Sequence, residues 1–308
     1  MSITLDPKLQ LSPVDPRDYI ARLDPISTLP SVDLKPLVNE VENQYNFSSC
    51  TANAGTSALE LMLNLKGYSL DLSRMFLYYY EKELSGLPGD QGAFPRSIGD
   101  ALTKYGTCYE STWDYTQAHL LAVPNDTAVA EAENFKILSY AQITGDVLPQ
   151  IKTSLAQNIP VLLTMYVHPE FFKLTGPWQT HNWNYTTSQS NPLQGLHEVL
   201  VIGYDDASNR LLIENSWGPG WGDGGFFGLL YDALATIVPE LWVLTPNPST
   251  LTYLEANPPP PIVPDPIIVT PVTPVTPVSK ITNRFTPLQM FLGIAVVFLI
   301  GIIILANI

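Results

Sequence analysis

Cys50 is one of only two cysteines in a chain of 308 residues. It stands in "QYNFSSCTANAG", directly ahead of a stretch that reads as a helix. Ala54, Ala58, Leu61, Met62 and Leu65 make one apolar stripe, and Gly67 ends it. A cysteine at a helix start meets unpaired backbone N–H groups and the positive end of the macrodipole. Both favour the thiolate, which is the nucleophilic form. The plainer reading is a small buried apolar side chain, the usual fate of a free cysteine.

A sulfur nucleophile also needs a base, and the base needs a group that orients it. The run "GLHEVLVIGYDD" offers His197, and "ENSWGPGWGDGGFFGLL" offers Asn215, 18 residues later. On adjacent antiparallel strands the two come side by side. Asn215 can then accept a hydrogen bond from one imidazole nitrogen and leave the other facing Cys50. His119, His168 and His181 have no comparable setting and read as surface or satisfied core residues.

These groups need a frame. The chain is 45% hydrophobic with six Trp and fifteen Tyr, enough to bury a real core. The first half carries helical patterns: the Cys50 stretch, "LSRMFLYYYEKEL" and "PRSIGDALTKYG" with its closing Gly106. The second half is mostly β-branched and aromatic runs between turn residues: "IPVLLTMYV", "HEVLVIGYDD", "RLLIENSW" and "GGFFGLL". "VLPQIKTSLAQN" ahead of them reads as a short helix ending at Asn158. Helices followed by an antiparallel sheet predict an α+β protein of two lobes, with a cleft between them.

The net charge of −14, without any block of Lys or Arg, excludes a nucleic-acid surface. Two cysteines exclude both a disulfide scaffold and a cysteine-based zinc site, and they fit a reducing compartment. No cofactor and no metal is called for.

With these residues in place, the sequence resembles the papain-like cysteine peptidases. "ENSWGPGWGDGGFFGL" matches that family's Asn-Ser-Trp-Gly…Trp-Gly…Gly run. "LPSVDLKPLVNEVENQ" is similar to its mature N-terminal segment, and "LSRMFLYYYEKEL" and "GAFPRSIGDALTKYGTCYESTWDY" to a bacterial and large-DNA-virus branch. The resemblance covers roughly residues 29–245. It implies a papain-like two-lobe fold, with a helical N-terminal lobe and an antiparallel β C-terminal lobe, acting on peptide or protein substrates. It implies Cys50 as nucleophile, His197 as general base and then acid, and Asn215 as orienter. Gln44 would be an oxyanion-hole donor, and Trp217 the shield of the Asn215–His197 pair. Three departures stand out. Phe47 replaces a cysteine that is disulfide-bonded in secreted members, Ser48 replaces a glycine, and Thr51 replaces a tryptophan. Only about 28 residues precede the resembling region, in place of a long inhibitory propeptide. Asp90, Gln91 and Arg96 are candidates for tuning the substrate pocket. Cys108 reads as a buried structural thiol.

The C-terminal part differs in kind. Nine prolines fall between Pro258 and Ser279, and "TPV" occurs three times from Thr270. That composition predicts a polyproline II spacer on the order of 70 Å long. From Met290 to Ala306 there is no charge or strong polar group, so a transmembrane helix is expected over 288–308, contacting the lipid bilayer. Lys280 and Arg284 on its N-terminal side put that side, and the catalytic domain, in the cytosol. A cytosolic face also keeps the sequon at Asn46 from carrying a glycan four residues from Cys50. The expected organisation is an N-terminal extension (1–28), a peptidase domain (29–250), a proline-rich linker (258–285) and a single-pass C-terminal anchor (288–308). The expected location is a viral or host internal membrane. Two functions are carried forward: a membrane-anchored cysteine endopeptidase working through an acyl-enzyme, or a catalytically silent binding or structural protein on the same fold.

Overall fold

The structure, a computed structural model, describes residues 9–21, 23 and 29–259. Strand β1 (Ser31–Asp33) precedes three helices, α1 (Cys50–Asn64), α2 (Arg74–Ser85) and α3 (Pro95–Lys104). After α4 (Asp126–Ala132) come β2 (Ile137–Gln142), α5 (Val147–Ala156), β3 (Val161–Val167), β4 (Gly195–Asp205), β5 (Arg210–Glu214) and β6 (Phe226–Leu230). The one-turn α6 (Leu234–Ile237), strand β7 (Glu240–Pro246) and α7 (Pro248–Ala256) complete it. The helical and strand runs read from the sequence all form. Strands β1, β2 and β7 lie outside those runs.

The sheet is antiparallel, in the order β2-β7-β3-β4-β5-β6, with β1 paired to the far end of β4. Register follows burial. In β3 every residue but Tyr166 is buried, and β4 is buried from His197 to Tyr204. A strand with both faces covered reads as a continuous apolar run rather than an alternation. Helix α1 is also buried on all sides, with only Glu60 and Asn64 partly open to solvent. The apolar stripe is thus one side of a central helix. Small residues let its neighbours close in: a Cβ on Gly55 would stand 2.7 Å from Ile98 Cγ2 of α3 and 3.0 Å from Leu77 Cδ2 of α2.

The described part of the N-terminal extension lies along α3 and the edge of β2. Tyr19 O accepts from Gln142 N–H, and Ala21 N–H donates to Gln142 O, each at 2.8 Å. Asp15 and Asp18 pair with Arg96, and Ser12 N–H donates to the Glu240 carboxylate at 3.1 Å. Beyond residue 250, α7 remains packed, with Leu254 fully buried and Thr250 Oγ1 donating to Lys136 O. Both cysteines are free thiols. Among the described residues no helix is long and apolar enough to cross a membrane. The expected span at 288–308 and the linker from residue 260 onward lie outside them.

Candidate active site

The ladder between β4 and β5 pairs Leu200 with Glu214. Continuing the count past the end of β5 puts Trp217 opposite His197 and Asn215 on the diagonal. Diagonal neighbours on one face stay within reach of a side chain, and the contacts follow that rule. His197 Nε2 lies 2.7 Å from Asn215 Oδ1. The Trp217 ring stacks on the imidazole with centroids 5.0 Å apart and planes 26° apart. Since Asn215 Oδ1 can only accept, and also takes Ser216 N–H at 2.9 Å, the shared proton belongs to His197 Nε2. Nδ1 is left with its lone pair, which is the form a general base needs.

The Asn215 loop is held from both sides. Asn215 N–H donates to Gly225 O at 3.0 Å. Gly225 has φ +96, and a Cβ there would stand 2.3 Å from Val41, so only glycine fits. Gln44 joins the same loop, its N–H donating to Ser216 O at 2.8 Å and its Oε1 accepting from Ser216 Oγ at 2.6 Å. Gln44 Nε2 donates one hydrogen to Phe47 O at 2.9 Å. The carboxamide is thus fixed in orientation, with a second N–H on the same nitrogen.

Cys50 opens α1 and is 5% exposed. Its thiol faces the backbone of Glu198, the residue after His197, and backbone hydrogen bonding there and at Thr51 favours the thiolate. Burial outweighs both, and with the Glu198 and Glu81 carboxyls nearby the thiol is pushed up to about 12. Burial likewise holds His197 down, to about 4, against the bond to Asn215. The thiolate expected of a helix start is therefore not the resting form. Burial disfavours both charged states, and the pair rests as thiol and neutral imidazole.

The departures from the family pattern have structural counterparts. Thr51 Oγ1 donates to Glu81 Oε2 at 2.5 Å, so a buried polar pair stands where the tryptophan is expected. Ser48 N–H donates to Asp90 Oδ1 at 3.0 Å, Ser48 Oγ to Asp90 O at 3.3 Å, and Tyr78 Oη to Asp90 Oδ1 at 2.8 Å. These bonds clip the segment ahead of Cys50 to the 88–94 loop, in a chain without the disulfide. Asp90 and Arg96, candidates for tuning substrate choice, are both engaged within the fold.

Sequence reading missed the buried acids. Glu198, Thr164 and Glu240 form one row across β4, β3 and β7, and Thr164 Oγ1 donates to Glu198 Oε2 at 2.6 Å. Burial pushes Glu81 and Glu214 up to about 8 and Glu198 well above the carboxylate range. Glu198 was legible only as a charged residue inside an apolar strand, a signal that names no partner. His119 stacks on Trp113, while His168 and His181 are buried and hydrogen-bonded, as expected of residues without a catalytic role. Among the described residues no group of three His, Cys, Asp or Glu side chains could hold a metal ion.

The chain is similar to known proteins of one kind. Residues 30–237 match the papain family cysteine protease description. An uncharacterized peptidase C1-like protein of Acanthamoeba polyphaga mimivirus is 29% identical over 240 residues, 74% of each chain. Cysteine proteinase 2 of Entamoeba histolytica is 25% identical over 201 residues, which cover 63% of this chain and 61% of that protein. Among solved structures, xylellain, a cysteine protease from Xylella fastidiosa, is 26% identical with a TM-score of 0.69, covering 78% of this chain and 95% of its own. A Carica candamarcensis cysteine protease in complex with E-64, 21% identical with a TM-score of 0.55 over 71% of this chain and 99% of that one, shares the fold. The α+β architecture, the free buried cysteine at the head of α1 and these matches together make the chain a member of the papain family of cysteine proteases.

Proposed function

We propose that the protein is a membrane-tethered cysteine endopeptidase in which Cys50, His197 and Asn215 carry the reaction. His197 Nδ1 takes the thiol proton as the Cys50 sulfur attacks the scissile carbonyl. The Cys50 backbone N–H and the second N–H of Gln44 Nε2 donate to the oxyanion. As the C–N bond breaks, His197 gives its proton to the leaving amine, and the acyl group remains on sulfur as a thioester. His197 then deprotonates a water that attacks the thioester. The C–S bond breaks, the acid leaves and the proton returns to sulfur. Asn215 keeps the imidazole in the tautomer this sequence requires, and Trp217 keeps water off their bond. The observation that carries the reading is the buried 2.7 Å His197–Asn215 bond beneath Trp217.

The anchor at 288–308 would hold this domain on the cytosolic face of a viral or host internal membrane. The composition of the tail supports the anchor, and the likeness to a mimivirus protein supports a viral setting. The test is alkylation of the 1–257 fragment by an epoxide that reacts with activated thiols, followed by peptide mapping. Modification confined to Cys50 and lost in His197→Ala supports the enzyme, and a soluble, active fragment supports the tether. Equal labelling of Cys50 and Cys108, or aggregation of the fragment, sinks the respective half. The silent binding protein has one observation in its favour, the thiol held at about 12. It wins if Cys50 labels no faster than an ordinary buried thiol.

A further inference from the structure

The two donors proposed for the oxyanion, the Gln44 carboxamide and the Cys50 backbone N–H, stand six residues apart in the chain. Each residue of the loop between them adds two soft dihedrals, so the loop alone does not fix the spacing of its ends. One side chain from outside the loop touches both ends. Tyr115 Oη lies 3.2 Å from Gln44 O and 2.5 Å from Oγ of Ser49, the residue before Cys50.

The direction of these bonds follows from the groups themselves. Gln44 O can only accept, so the Tyr115 hydroxyl donates to it. The Tyr115 oxygen is then left to accept, and the Ser49 hydroxyl donates to it. Asn53 Nδ2 in turn donates to Ser49 Oγ at 3.2 Å and to Ser49 O at 2.8 Å. The result is one directed chain, from Asn53 through Ser49 and Tyr115 to Gln44, in which each bond polarises the next.

Tyr115 is itself held from outside this chain. Its N–H donates to Glu110 Oε1, and the Arg74 guanidinium stands 4.7 Å from the centre of its ring. Arg74 is fixed in turn by pairing with Glu42 and Glu110. The Phe47 ring meets the Tyr115 ring edge-on, with centroids 5.3 Å apart. The ring alone would fill the same space, so the hydroxyl is what ties the two ends of the loop together. Donors stabilise an oxyanion only if they are in place before its charge develops.

We propose that Tyr115, through Ser49, is a positioning residue for the oxyanion hole, setting the distance between the Gln44 and Cys50 donors. The inference rests on the Cys50–His197 reading of the reaction. Tyr115 acts through the two donors and takes no part in proton transfer.

The test follows two reactions of the full chain in detergent. Hydrolysis of a peptidyl coumarylamide passes through an oxyanion. Alkylation of Cys50 by iodoacetamide, followed by peptide mapping, displaces iodide and forms none. In Tyr115→Phe and in Ser49→Ala, kcat should fall about tenfold to a hundredfold, short of losing a whole donor, with KM and the alkylation rate little changed. Thermal unfolding checks that both variants fold. The double variant should be no worse than the worse single one, because either change cuts the same chain. An unchanged kcat in folded Tyr115→Phe, single losses that multiply in the double variant, or alkylation that falls in step with kcat overturns the positioning role while the proposed reaction stands. Folded wild-type protein that releases no coumarin and labels Cys50 no faster than Cys108 overturns the reaction, and the positioning role with it.

Discussion

The two halves of the site are built differently. The His197 half is set by sheet register. His197, Asn215 and Trp217 sit on or just beyond paired strands, and their contacts are short, few and aromatic-covered. The Cys50 half is set by a buried helix and by acids: Glu81 and Glu198 lie near it, and a hydrogen-bonded clip through Asp90 stands ahead of it. The first half fixes a tautomer, whereas the second keeps a thiol neutral until a base is aligned. Geometry is the scarce resource on one side and charge on the other.

If that division is right, the register half should break catalysis without much harm to the fold. Asn215→Ala releases the imidazole tautomer and should cost between about 10² and 10⁴ in kcat. The check is turnover alongside thermal unfolding. Gln44→Ala comes next: the loss of one oxyanion donor typically removes about 10²–10³, and KM should move little. A loss confined to KM would place Gln44 in substrate binding instead.

The helix half should break the fold first. Thr51→Val strips the hydroxyl from the buried Glu81 carboxyl and should cost about 1–3 kcal/mol in chemical unfolding, with a smaller effect on turnover per folded molecule. The pH dependence separates the halves most finely. Glu81 and Glu214, raised to about 8, hold protons in the fold that the unfolded chain releases above the ordinary carboxylate range. Stability should therefore fall as pH rises from about 5 to 8. His197, lowered to about 4, acts in the opposite sense: the unfolded chain takes up its proton first, so stability is lost as pH drops from about 6.5 toward 4. A stability maximum near pH 5, replaced in Glu81→Gln with Glu214→Gln by a rise from about pH 4 to a plateau above about 6.5, would bear out both signs.

The register half was the more legible in the sequence. Asn215 and Trp217 fall in one Gly- and Trp-rich run just past a β-branched stretch, and His197 leads into the apolar run of β4, so the pattern puts them on or beside neighbouring strands. The helix half was legible only as far as Cys50 and its stripe. Glu81, Glu198, Thr164 and Asp90 come from α2, β4, β3 and a loop, and no spacing in the chain announces that they converge.

The sequence by itself determined the fold class and singled out Cys50, His197 and Asn215 as candidates for the proposed reaction, because each stands out by residue type within its own segment. Only the tertiary structure decided the resting charge of the pair. That depends on how much water remains around Cys50 and His197 and on which distant carboxyls pack beside them, and both are properties of the assembled interior.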